Sequence, residues 1–125
     1  MERKIITIGE NGRVNIPCGD VWMSEAELVE LFGVIAPTLR AAVKAIYRSG
    51  VLNPASTQRC DVVSPASWAT FYNLEAVIAL VFRLDTYEAG KIREKVLECI
   101  CRQKENRISL FVALSSGSMT GKALS

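Results

Sequence analysis

The sequence predicts an α+β fold of one domain, and three observations carry that expectation. Two β-type runs, Lys4–Ile8 and Arg13–Ile16, flank Gly9-Glu10-Asn11-Gly12, where Asn-Gly is a strong hairpin-turn signal. Two helical patterns then meet at a tight corner, Phe32-Gly33-Val34. Two more β-type runs come directly after the second helix, and two further helical patterns close the chain. With 125 residues, half of them apolar, the chain is long enough to bury a core without disulfides or metals.

The first helix starts at Ser24, with Glu27 three residues on completing a capping box. Leu28, Leu31 and Phe32 make its apolar face, and Glu25, Glu27 and Glu30 are expected largely on the other side. Gly33 stops it in the position that favours a left-handed backbone. Pro37 suits the first turn of the second helix, whose inner face is Leu39, Val43, Ile46 and Tyr47 and which Gly50 ends. Leu28, Phe32, Val34, Leu39 and Ala42 fall where two such helices clamp together, and small Ala41 and Ala42 allow a close approach.

Val51–Ser56 reads as a turn. Thr57–Ser64 and Ser67–Tyr72 read as two strands with Ser64-Pro65-Ala66 at their tip. A hairpin directly after a two-helix corner is the winged helix-turn-helix pattern, here with an N-terminal β-hairpin, for which Val21-Trp22 is a candidate continuation, and two C-terminal helices. Asn73 caps the helix Leu74–Leu84, which is apolar nearly all round and therefore expected to be buried, either in the core or against the partner of a homodimer. In the last helix, Tyr87–Glu105, Ala89, Ile92, Val96, Cys99 and Ile100 should face inward and Lys91, Glu94, Lys95, Glu98 and Arg102 outward. Residues 1–105 thus form the domain and 106–125 an extension, in which Ile108–Leu114 is expected to pair with another element and Ser115–Ser125 to be a flexible tail.

The chain has no histidine, which excludes histidine acid–base chemistry, histidine metal sites and histidine-activated nucleophiles. Cys18, Cys60, Cys99 and Cys101 form no C-x-x-C pair and are expected as reduced thiols, mostly in the core. Trp22, Trp68, Phe71 and Tyr72 are likewise expected in the core. No nucleophile with its base can be named, so the expectation is a protein that is not an enzyme and takes no cofactor. The N-terminus carries no secretory signal and the most apolar run, Leu74–Phe82, is too short to span a bilayer, which points to the cytoplasm.

The formal net charge of +2 argues little for nucleic acid, but its distribution does. No acidic residue occurs from Leu31 through Cys60, and Arg40, Lys44 and Arg48 recur every four residues along one stripe of the second helix. Thr38 and Arg40 are the residues near the head of that helix able to make directional contacts, and Arg59 on the first strand of the hairpin is expected to reach a flanking phosphate. Ile35, Ala36 and Pro37 occupy positions that usually read bases, so weak sequence selectivity is expected. Three or four phosphates per protomer would give a log–log salt slope of roughly −3 to −4.

From Val21 onward, "VWMSEAELVELFGV", "TLRAAVKAIYRSGVLN" and "FYNLEAVIALVFRLD" together resemble the RhuM family of bacterial virulence-associated proteins, over roughly Asn11 to Cys101. The resemblance implies a DNA-binding-like helix-turn-helix domain with no established activity. This chain departs from the family's pattern in having Ile35-Ala36-Pro37-Thr38 where the family has a polar run. The expected function is therefore DNA binding, as a homodimer and in a role of transcriptional regulation. The rival expectation is a protein-interaction module that kept the scaffold and lost the DNA.

Overall fold

The computed structural model of the chain describes residues 3–118. It is α+β, with two small sheets and five helices among the described residues. In chain order the elements are β1 (Thr7–Ile8), β2 (Val14–Asn15), β3 (Trp22–Ser24), α1 (Glu25–Phe32), α2 (Ala36–Arg48), α3 (Pro54–Thr57), β4 (Gln58–Ser64), β5 (Ser67–Asn73), α4 (Leu74–Val81) and α5 (Tyr87–Ser118). The chain divides into two compact units that part between Arg93 and Glu94, within α5.

β1 and β2 pair antiparallel as the Asn-Gly signal predicts, though over two residues each. The turn closes through the Gly9 N–H donating to the Arg13 carbonyl (2.8 Å) and the Gly12 N–H donating to the Gly9 carbonyl (2.9 Å). Val21-Trp22 does not extend that hairpin. Lys4 makes a single parallel bridge to Val21, and Trp22–Ser24 join a second, three-stranded sheet of order β3-β5-β4. Both pairings in it are antiparallel, with Met23 opposite Tyr72 and Arg59 opposite Phe71.

α1 begins with the full capping box: the Glu27 N–H donates to Ser24 Oγ, and the Ser24 N–H donates to Glu27 Oε1. Arg3 donates to the same Oε1 at 2.6 Å. Burial by itself raises the Glu27 pKa, but the hydrogen bonds from Arg3 and Ser24 and the Arg3 charge outweigh it and hold the carboxyl below its ordinary value. A depressed carboxyl pKa contributes stability that is present above the unfolded-state pKa and lost as pH falls through the folded one. Glu27→Gln is therefore expected to flatten the acid side of the stability–pH curve below about pH 4.5, the carboxyl's ordinary value, as read by urea unfolding at a series of pH values.

At the corner Gly33 takes φ 66° and ψ 37°, and its N–H donates to the Val29 carbonyl. The positive φ disfavours any side chain there, and a Cβ would lie 2.8 Å from the Glu88 carboxylate, which would have to move aside. Phe32, Leu28 and Leu39 are wholly buried and Ala42 nearly so, while Ala41 faces solvent and takes no part in the helix contact. Thr86 ties the start of α5 to this corner, its hydroxyl donating to the Phe32 carbonyl (2.7 Å) while accepting from the Ala89 N–H.

Several elements differ from expectation. Within the expected turn Val51–Ser56, residues from Pro54 onward coil into α3. Asn53 caps it, and its buried Thr57 hydroxyl bonds both the Asn53 carbonyl and the Tyr47 hydroxyl. α4 ends at Val81, three residues short of Leu84, and buries Ala76, Val77, Leu80 and Val81 in the core. Its apolar surface is thus taken up within its own unit. α5 runs on past Glu105 to Ser118, so the helix includes Ile108–Leu114. Residues 119–125 of the expected tail lie outside the described residues. On α5, Ala89, Ile92 and Val96 are buried as expected, but Cys99 is half-buried and Ile100 is exposed. Cys18, Cys60 and Cys101 are exposed as well, so the free thiols are not core residues. Among the described residues no helix is long and apolar enough to cross a membrane.

Candidate nucleic-acid interface

α2 buries Leu39, Ala42 and Ile46. At about 100° per residue, Pro37, Lys44 and Arg48 then point directly away from the core, with Arg40 and Ala41 beside them. Thr38, Arg40, Lys44 and Arg48 are all exposed, and α2 contains no acidic residue. The stripe read from the sequence therefore exists as a solvent-facing line of side chains.

Its charge is smaller than the sequence suggests. Arg40 grips Glu25 of α1 with two nitrogens, Nη2 at 2.8 Å and Nε at 3.2 Å. Glu25 was expected on the far side of α1. The angle of the helix corner instead brings its carboxylate over the outer face of α2. Arg40 keeps a 65% exposed side chain, but its guanidinium already has a carboxylate partner. Lys44 and Arg48 have no such partner among the described residues.

Arg59 is separated from the stripe. Strand alternation and the β4–β5 register put Arg59, Asp61 and Phe71 on one face of the sheet, and Cys60, Val62, Thr70 and Tyr72 on the other. Arg59 lies over the Trp22 ring at 5.0 Å and 3.9 Å from Asp61, while on the opposite face burial, and then the nearby Tyr47 of α2 and Glu25 of α1, push the Tyr72 phenol pKa up. α2 thus belongs with the Tyr72 face, and Arg59 sits behind the sheet.

The head of α2 offers phosphate little. Its N-cap is Ile35, without a side-chain cap bond; Pro37 has no N–H, and the Thr38 and Leu39 N–H groups donate to the Ile35 carbonyl at 3.1 Å. The Thr38 hydroxyl remains, beside an Ile35 side chain that is 68% exposed.

Two further features escaped the sequence. Trp68, expected in the core, is 70% exposed on β5, opposite exposed Val62 on β4, because the hairpin projects beyond the end of β3. Phe71 and Tyr72 are buried as expected. In addition, no Lys or Arg occurs from Cys60 through Phe82, which could have signalled that the hairpin is apolar rather than cationic.

Comparison with protein-family models, curated proteins and solved structures finds no match to this chain.

Proposed function

We propose that the protein binds double-stranded DNA through α2, as a winged helix-turn-helix domain, weakly and with little sequence selectivity. The observation that supports this best is the sheet order β3-β5-β4, with α1 and α2 inserted between β3 and β4. That is the connectivity of a winged helix, and it leaves the outer stripe of α2 in solvent with Lys44 and Arg48 uncommitted among the described residues. The RhuM-like features of the sequence agree with this reading. Thr38 is the one polar contact at the head of the helix, Lys44 and Arg48 neutralise phosphates, and Arg40 contributes only when it leaves Glu25. Arg59 has no part in the contact unless it swings off Trp22.

The test is fluorescence anisotropy with a random-sequence duplex at low salt. Binding below about 100 µM, the usual non-specific range, is expected. Its absence leaves the second reading, a protein-interaction module, which one observation favours: exposed Ile35 at the head of α2 is an apolar anchor with no use on phosphate.

A regulator of this kind gains from symmetry, since a dimer engages two half-sites. Dimerisation is assigned to α5 rather than α4. Leu97 and Ile100 are 47% and 57% exposed, three residues apart on that helix, beside a Glu98–Arg102 ion pair. Sedimentation at micromolar protein is expected to give a dimer that Leu97→Glu with Ile100→Glu returns to 13.7 kDa monomers. A wild-type chain that sediments as a monomer ends this assignment. The reduced cysteines fit a cytoplasmic protein.

A further inference from the structure

We infer that the free edge of β5 is a docking site for an extended, uncharged peptide segment of a partner protein, which adds to the sheet as a strand beside Ser67–Thr70. The proposal does not rest on the DNA reading, although Glu25 on the rim of this site is paired with Arg40 of α2.

The edge follows from unequal strand lengths. β4 covers one side of β5 from Ser67 to Tyr72, but β3 covers the other side only at Phe71, Tyr72 and Asn73. β3 stops there because Ser24 turns the chain into α1 through its capping box. Among the described residues, Ser67–Thr70 therefore have no strand partner on the β3 side. In an extended strand alternate residues direct both N–H and C=O to the same side, so this stretch presents donors and acceptors spaced for another strand. α1 does not close the gap. A cleft of about 500 Å³ separates the edge from the start of that helix, with Ser24, Glu25 and Ala26 on one bank and Val63, Trp68 and Thr70 on the other.

Natural edges are normally guarded by charge, proline or a bulge. This hairpin has its guards at the tip, where Pro65 sits and where Val63 is the extra residue of a bulge between Val62 and Ser64. Ser67–Thr70 carry no charge at all. Instead the hairpin presents Trp68, Val62 and Val63 to solvent, 70%, 49% and 54% exposed. Exposed apolar side chains next to unpaired backbone are the two halves of strand addition: main-chain bonds hold the peptide, and a side-chain contact selects it.

Charge decides against nucleic acid and against a charged peptide. The two ionised groups on the rim, Arg3 and Glu25, are each paired within the chain, to Glu27 and Arg40. The occupant that fits is an uncharged strand with an apolar residue placed to lie on Trp68. The open stretch is four residues long, so affinity is modest.

The probe is an alternating threonine–valine heptapeptide, capped at both ends, titrated into the full chain. Saturable quenching or shift of tryptophan fluorescence below about 1 mM is expected. Amide resonances of Ser67–Thr70 should move and gain protection from exchange. Trp68→Lys, which adds charge to the edge at an exposed position, should weaken binding about tenfold or more while far-ultraviolet circular dichroism is unchanged. The same peptide N-methylated at alternate residues should not bind. Absence of saturation, equal binding of the N-methylated peptide, or amide shifts confined to other elements overturns the inference. It is also overturned if Trp68→Lys converts a wild-type dimer to monomer, because the edge is then filled by a second copy. Trp68→Gln, which removes the aromatic surface without adding charge, should leave DNA anisotropy as in the wild type, so failure here and failure of the DNA reading are separate results.

Discussion

Phe32→Ala is expected to lower the unfolding free energy by about 3–5 kcal/mol, the range for truncating a wholly buried aromatic side chain. Phe32 is the last residue of α1 and has no exposure to solvent. Its neighbours cannot collapse to fill the space, because the corner is held at both ends. Gly33 fixes the chain direction with its left-handed backbone, and Thr86 holds the Phe32 carbonyl from the start of α5. The cavity term therefore adds to the lost transfer energy instead of relaxing away. The measurement is the midpoint and slope of urea unfolding. An unchanged midpoint would mean that Phe32 is not clamped between α1 and its surroundings, and would remove the basis for the helix corner. A lowered midpoint with an unchanged slope is the expected pattern for a cavity in an otherwise intact fold.

Glu25→Gln is expected to strengthen DNA binding. In the wild type, Lys44 and Arg48 are the two stripe cations without a carboxylate partner among the described residues, which corresponds to a log–log salt slope of about −2 per protomer and about −4 for a dimer. That is shallower than the −3 to −4 per protomer that a count of basic side chains gives, because Arg40 is held by Glu25 and Arg59 lies behind the sheet. Removing the Glu25 charge frees Arg40 and also removes a negative charge from the contact face. The slope should steepen by about one unit per protomer, and every duplex sequence should gain alike, since a phosphate contact carries no sequence information. Lys44→Ala with Arg48→Ala should nearly abolish the salt dependence. Lys44 and Arg48 are exposed, so loss of binding on their replacement does not reflect loss of the fold. A slope that is the same for wild type and Glu25→Gln would show that Arg40 does not meet DNA. No binding by any variant would leave Ile35 and its neighbours as a protein interface, and Ile35→Asp would then be the informative change.

What the sequence by itself determined was the set of local decisions. Ser24 with Glu27 placed the start of α1, Gly33 its end, Asn73 the start of α4 and Asn11-Gly12 the first turn. Each of these rests on bonds spanning only a few residues, and such signals are complete within a short window of chain. The identity of the helix faces was legible for the same reason: Leu39, Ala42 and Ile46 on one side of α2 leave Lys44 and Arg48 on the other. The C-terminal extents of α4 and α5 were not legible: α4 stops at Val81, and α5 continues to Ser118.

The tertiary structure alone decided which charges remain available and which apolar residues stay exposed. Glu25 and Arg40 are fifteen residues apart and meet only because the angle at Gly33 brings the start of α1 across α2. Arg59 is removed from the stripe by a register: pairing with Phe71 puts it on the sheet face away from Tyr72. Trp68 has the hydrophobicity of a core residue, yet it is solvated because β3 is three residues long and β5 is seven. Strand length, register and helix-crossing angle depend on residues far apart in the chain, and a one-residue shift of register moves a strand's side chains to the opposite face.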